Sequence, residues 1–239
     1  MDVSEEYRDA WEGYWRETTD APGEAIWDSD PSLTAEPHTE LLLPYADSAL
    51  PIVDLGCGNG TQTRYLAGRF PKAVGVDISH AAIEHARRAD ATGVAEFRQL
   101  SLVDGPAVRE LHRRLGDCHV YMRAVIHQSR PQDRAAVAHA IAEFVGTRGR
   151  AFVVELVSAS RDVLRRAAEG PDGPPPKLRR VFAHGLKPAD ASDEEVPALL
   201  AEAGLDIFTS GKTALAQTEY LADGTRIELP ARWFVVGRR

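Results

Sequence analysis

Apolar positions in this chain fall in short runs, and between the runs they recur with the spacing of one helix face. Ile52–Leu55, Ala73–Asp77, "AEFRQLSL" from Ala95, "CHVYMRAVIHQ" from Cys118 and "RAFVVELV" from Arg150 read as five strands. The last is apolar enough to be buried on both faces of a sheet. The intervening pattern predicts a helix over about 61–69 and a second capped by Ser79, with Ile83, Ala86 and Ala89 on one face. A third runs over 107–115, and a fourth is opened by Pro131 with Val137, Ile141 and Phe144 inward. Strands alternating with helices of about 10–15 residues form βαβ units, hence a parallel sheet with right-handed crossovers.

Both ends depart from this alternation. Tyr7, Trp11, Tyr14 and Trp15 share one helix face, which Ser4 is placed to cap. Pro22, Gly23, Asp28, Pro31 and Pro37 then break the chain before a short helix over 36–46. Near the other end, Ser192 and Glu195 have capping-box spacing for a helix over 193–203 that Gly204 would stop. Asp223-Gly224 reads as a two-residue hairpin turn before a last, antiparallel strand, "ARWFVVGRR". "GPDGPPPKLRRVFAHGLKP" has no clear period, and about 170–191 is expected to be a long loop or lid. Residues 1–48 thus read as an N-terminal helical, aromatic cap and 49–239 as the main domain.

Composition narrows the function classes. The 239 residues are 44% hydrophobic and carry a net charge of −8, without a basic platform, so a nucleic-acid partner is not expected. Two cysteines are too few for a disulfide framework or a thiolate zinc site, and no His/Asp/Glu cluster has metal spacing. The acidic, aromatic start does not read as a signal peptide, and no apolar run approaches the ~20 residues of a membrane span. The expectation is a soluble, cytoplasmic protein that binds a small organic molecule.

The chemistry concentrates in "IVDLGCGNGTQTRYLAGRF", Ile52 to Phe70: a strand, a glycine-rich turn and a helix start. This arrangement aims backbone N–H groups at a ligand on the sheet's carboxyl edge. Gly56, Gly58 and Gly60 are spaced Gly-x-Gly-x-Gly, and Thr61 stands where a dinucleotide fingerprint has its third glycine. Asp54 adds a carboxylate that would repel a pyrophosphate and suit a cationic ligand.

"VDLGCGNG" and "VGVDIS" together resemble the first two motifs of the class I S-adenosylmethionine (SAM)-dependent methyltransferases, and the order of elements over about 50–160 is similar to theirs. The run "YW" followed by "IWD" resembles, over short stretches only, the thiopurine-methyltransferase-like branch. The resemblance implies an α/β, Rossmann-like, doubly wound sheet of seven strands, mostly parallel with an antiparallel C-terminal strand. It implies SAM as cofactor, S-adenosylhomocysteine as product, and methyl transfer to O, N or C of a small biosynthetic intermediate. Asp54, Gly56, Cys57 and Gly58 would receive the amino-acid end of SAM, and Asp77 with Ile78 the ribose. Ser101 and Leu102 would form the adenine pocket, with Asp104 an alternative to Ser101 or a turn residue. Arg123 would meet a carboxylate or make a structural ion pair. Trp15 and Trp27 would line the pocket by cation–π attraction, or else bury a helix face on the sheet.

His127, at the end of the fourth apolar run, is the candidate general base; a histidine held by backbone at a strand end is the other reading. His184 is a lesser candidate, and His80, His85, His112 and His139 are expected on helix surfaces. Two other classes stay open: a protein that binds SAM without transferring methyl, cyclase-like or structural, and an NAD(P) oxidoreductase. Oligomeric state is not readable from the sequence.

Overall fold

A computed structural model describes residues 3–170, 173–186 and 191–239. In chain order the elements are α1 (Val3–Glu17), α2 (Ala35–Leu42), β1 (Ile52–Leu55), α3 (Thr61–Ala67), β2 (Ala73–Asp77), α4 (His80–Ala89) and β3 (Glu96–Gln99). There follow α5 (Gly105–Leu115), β4 (His119–Arg123), α6 (Arg134–Val145), β5 (Ala151–Leu156), α7 (Ser160–Ala168), α8 (Pro176–Ala183), α9 (Glu195–Glu202), β6 (Asp206–Tyr220) and β7 (Arg226–Gly237).

The strands form one seven-stranded sheet in the order β3-β2-β1-β4-β5-β7-β6. β1 to β5 pair in parallel, and β7 runs antiparallel to both its neighbours. The chain leaves β1 toward one side and returns through β4 on the other. That reversal opens a crevice beyond the carboxyl ends of the two strands, the usual ligand position on a doubly wound sheet. Apolar side chains fill both faces: Val53, Leu55, Val120 and Ile141 belong to one core, Ile52, Leu66, Tyr121 and Phe152 to the other.

A third apolar cluster joins α1 to the C-terminal hairpin through Tyr14, Trp15, Ile26, Leu178, Val181 and Leu229. Tyr14 and Trp15 are fully buried. Burying about 150–250 Å² per ring at ~25 cal/mol per Å² gives an upper value of about 4–6 kcal/mol each, enough to hold α1 against the sheet.

Several expectations are corrected. α1 begins at Val3, so Ser4 lies in its first turn, and that side chain is outside the described ones. The 193–203 helix starts at Glu195 without a side-chain cap; Glu195 instead pairs with the buried Arg134 at 2.6 Å. The stretch expected to be loop holds α8, begun by Pro176 and burying Leu178 and Val181; its residues 171–172 and 187–190 lie outside the described ones. The hairpin turn spans Leu221–Thr225 rather than two residues. The fourth strand stops at Arg123, so His127 sits in the turn beyond it. No described helix is long and apolar enough to cross a membrane.

Candidate active site

The glycine turn is held to the sheet by backbone: the N–H groups of Gly56 and Cys57 both donate to the Val76 carbonyl, at 2.8 and 3.0 Å. Two glycines are required on steric grounds. Gly56 has φ +74°, and a Cβ there would lie 2.6 Å from Val125 Cγ2. Gly58 has φ +54°, and a Cβ would lie 2.7 Å from the Trp15 ring. Both line the cavity at the crevice, and a side chain at either would collide with its wall.

Asp77, the last residue of β2, faces the same cavity. Its Oδ2 accepts the Gly58 N–H and its Oδ1 the Ser79 N–H, each at 2.9 Å. Burial pushes its pKa up to about 6 despite these bonds. Each oxygen keeps accepting capacity for a further donor, which a buried carboxylate needs. A side-chain-free stretch of main chain and a buried carboxylate with accepting capacity thus stand together on one wall of the cavity.

On the other side of the crevice, the carboxylate of Glu155 on β5 gathers the turn after β4. It accepts the N–H groups of Val125, Ile126 and His127 at 2.9, 2.8 and 3.1 Å, and the His127 Nδ1 at 2.7 Å. Because this carboxylate only accepts, Nδ1 is the protonated ring nitrogen and Nε2 is left as acceptor. His127 lines the cavity. Ala124 takes φ +61°, a left-handed conformation that a non-glycine residue seldom holds, in the same turn.

The expected site residues separate into two groups. Gly56, Cys57, Gly58, Asp77, Ile78, Ser101, Leu102, Arg123, His127, Trp15 and Trp27 all line the one cavity. Arg123 uses its guanidinium on the Trp27 carbonyl at 2.7 Å, and burial pushes the Cys57 thiol up. Asp54 is not among the lining: it is buried behind the turn and accepts the Thr63 hydroxyl at 2.6 Å, with burial raising its pKa to about 6. Asp104 caps α5 through the Ala107 N–H. His184 pairs with Glu17 outside the cavity, and His85 is buried between Asp20 and the Trp15 carbonyl rather than on the surface.

The N-terminal aromatics pack edge-on, Trp11 on Trp27 at 5.4 Å and Trp15 on Trp27 at 6.1 Å, and all three rings line the cavity. Four contributors escaped the sequence reading. Glu155 is the one acid of an otherwise apolar strand, a signal that was available. Asp28 holds the glycine turn by accepting from Asn59 Nδ2 at 2.7 Å, and Gln62 ties it to the Ser29 carbonyl at 2.8 Å. Gln217 lines the far end. Among the described residues no group of His, Cys, Asp or Glu could hold a metal ion.

Residues 52–149 match the family model described as "Methyltransferase domain". No curated protein sequence matches the chain. Among solved structures, a SAM-dependent methyltransferase from Anabaena variabilis is similar at 26% identity, with 97% of this chain and 95% of that one covered and a TM-score of 0.89. The magnesium protoporphyrin IX methyltransferase of Synechocystis, solved with bound S-adenosylhomocysteine, shares the fold at 17% identity, 86% and 81% coverage and a TM-score of 0.56. A geranyl diphosphate methyltransferase shares it at 16% identity, 98% and 99% coverage and a TM-score of 0.61. Residues 52–149 are thus a methyltransferase domain, and the chain has the fold of the SAM-dependent methyltransferases.

Proposed function

We propose that the enzyme methylates a small organic acceptor, at O, N or C of a biosynthetic intermediate, with Gly56, Gly58 and Asp77 seating the donor and His127 taking the acceptor's proton. The observation that carries this reading is the convergence of a Cβ-free cradle, a buried carboxylate and a tautomer-fixed histidine on one cavity.

Bound SAM supplies a methyl carbon on a sulfonium, so that an acceptor lone pair forms the new bond while the C–S pair returns to sulfur as S-adenosylhomocysteine. The chain's own contribution is mostly alignment and exclusion of water. Asp77 accepts the two ribose hydroxyls, and the Gly56–Gly58 main chain admits the amino-acid tail. Leu102 packs on the adenine, beside Ser101. Trp15 and Trp27 present ring faces to the positive sulfur, worth about 0.5–2 kcal/mol. His127 Nε2 receives the proton where the acceptor has one to lose, and Glu155 holds the ring so that this nitrogen faces inward. Asp54 acts indirectly, by bracing the helix start through Thr63. Residues 1–48 serve as a cap over the main domain, and α8 within 170–191 closes the far side.

Calorimetry of SAM and S-adenosylhomocysteine with the wild type and Asp77→Ala tests the seating. Clear binding that is lost or weakened at least tenfold in the variant is expected, since a charge-assisted contact is worth about 1.5–3 kcal/mol. Unchanged affinity removes Asp77 from the donor site.

A further inference from the structure

The cavity does not end at the donor cradle. Beyond it the walls are Leu156 at the end of β5, Leu164 of α7, Leu178 and Val181 of α8, Leu215 of β6 and Leu229 of β7. All six are aliphatic. The arginines that line the cavity and the cations next to these walls are turned to other partners: Arg123 donates to the Trp27 carbonyl, Arg130 to Asp133, Lys177 Nζ to Gly23 O and to Thr218 O and Oγ1, and Arg180 pairs with Glu24. A charged group placed among these leucines would be desolvated without a counter-ion.

One polar side chain interrupts the wall. Gln217 of β6 is 5% exposed and lines the cavity. Its Nε2 donates to the Leu215 carbonyl of its own strand at 2.9 Å, which fixes the orientation of the amide. Its Oε1 then accepts nothing from the described residues. An amide oxygen open to an aliphatic chamber is available to a ligand's hydrogen-bond donor.

Resting on the methyl-transfer reading above, we propose that the acceptor is an uncharged, largely apolar molecule whose single hydrogen-bond donor is received by Gln217 Oε1. The aliphatic walls select its body by burial, and the amide set among them selects its orientation. Carboxylate, sulfonate and phosphate acceptors are rejected by the same walls.

The test uses the full chain saturated with S-adenosylhomocysteine and three probes followed by tryptophan fluorescence and calorimetry: 2-naphthol, its donor-less relative 2-methoxynaphthalene, and 2-naphthalenesulfonate. 2-Naphthol is expected to bind at least tenfold more tightly than the methoxy compound, and the sulfonate not to bind. In Gln217→Leu the two neutral probes become equal, and in Leu164→Glu both weaken at least tenfold. Retained S-adenosylhomocysteine binding by each variant reports that it folds. Sulfonate binding as tight as naphthol, discrimination that survives Gln217→Leu, or no binding by any probe overturns the inference. S-adenosylhomocysteine that fails to bind the wild type sinks the donor site instead, a result the calorimetry separates.

Discussion

His127 Nδ1 lies 2.7 Å from Glu155 Oε2, with both side chains almost wholly buried, and the same carboxylate holds the three backbone N–H groups that lead up to the ring. One side chain thus sets both the path of the turn and the tautomer of the histidine. Glu155→Ala removes the acceptor for all four donors and is expected to lower stability by about 2–4 kcal/mol in denaturant unfolding. A loss within a few tenths of a kcal/mol would show that the turn holds itself.

His127→Ala separates chemistry from scaffolding. With an acceptor that must lose a proton, the rate of S-adenosylhomocysteine formation is expected to fall about 10²–10⁴-fold while SAM affinity stays within a few-fold. An undiminished rate ends the general-base role.

Asp77 sets a pH dependence with opposing signs. Its carboxyl is raised from 3.8 to about 6 by burial, so the folded apo protein holds this proton more tightly than the unfolded chain does. Between those values its contribution to apo stability declines as pH rises, and above about 6 the full cost of the buried charge is present. SAM needs the ionised form, so its affinity moves the other way: flat above about pH 7, weakening below about 6 by up to tenfold per unit. Thermal unfolding with and without SAM between about pH 5 and 8 should show a ligand-induced shift that grows with pH. A shift independent of pH contradicts the assignment.

Gly58→Ala and Gly93→Ala make a matched pair. Both glycines have positive φ, +54° and +66°, but a Cβ on Gly93 meets nothing within 4 Å, whereas one on Gly58 meets Trp15. Gly93→Ala is expected to lose about 1–2 kcal/mol to backbone strain and Gly58→Ala more, through the added clash, and Gly58→Ala alone should weaken SAM binding, by tenfold or more in calorimetry. Equal SAM affinity in the two variants would mean the cradle tolerates a side chain.

Glu12 fastens α1 to the start of α4: its Oε2 accepts the Ser79 hydroxyl at 2.8 Å and the Ala81 N–H at 3.1 Å. Glu12→Ala should cost about 1 kcal/mol and speed SAM dissociation several-fold in stopped-flow fluorescence. An unaltered off-rate would exclude α1 from control of the cavity.

The parallel sheet and the glycine turn beside Asp77 were legible because their signals are local: apolar runs, glycines close together, and an acid at the end of a run. The pairing of Glu155 with His127 was not: an acid in an apolar strand marks Glu155 itself, but the two meet across 28 positions and no periodicity records that. α8 was masked by the prolines and glycines before it, although Pro176 at a first turn with Leu178 and Val181 three apart carries a helix signal. Asp54 misled by proximity: it is near the turn in sequence, but its strand position sends it into the interior, where Thr63 receives it. The capping box at Ser192 and Glu195 failed because a buried arginine made a stronger claim on Glu195.

Trp15, 1% exposed and resting on Gly58, occupies the side of the glycine turn across which the donor is proposed to lie. A donor seated there lies beneath that indole, so exchange of donor and product is expected to be slower than from an open cleft. Turnover that slows in added viscogen would report such an exchange step, and turnover that does not respond would place the bottleneck in bond making.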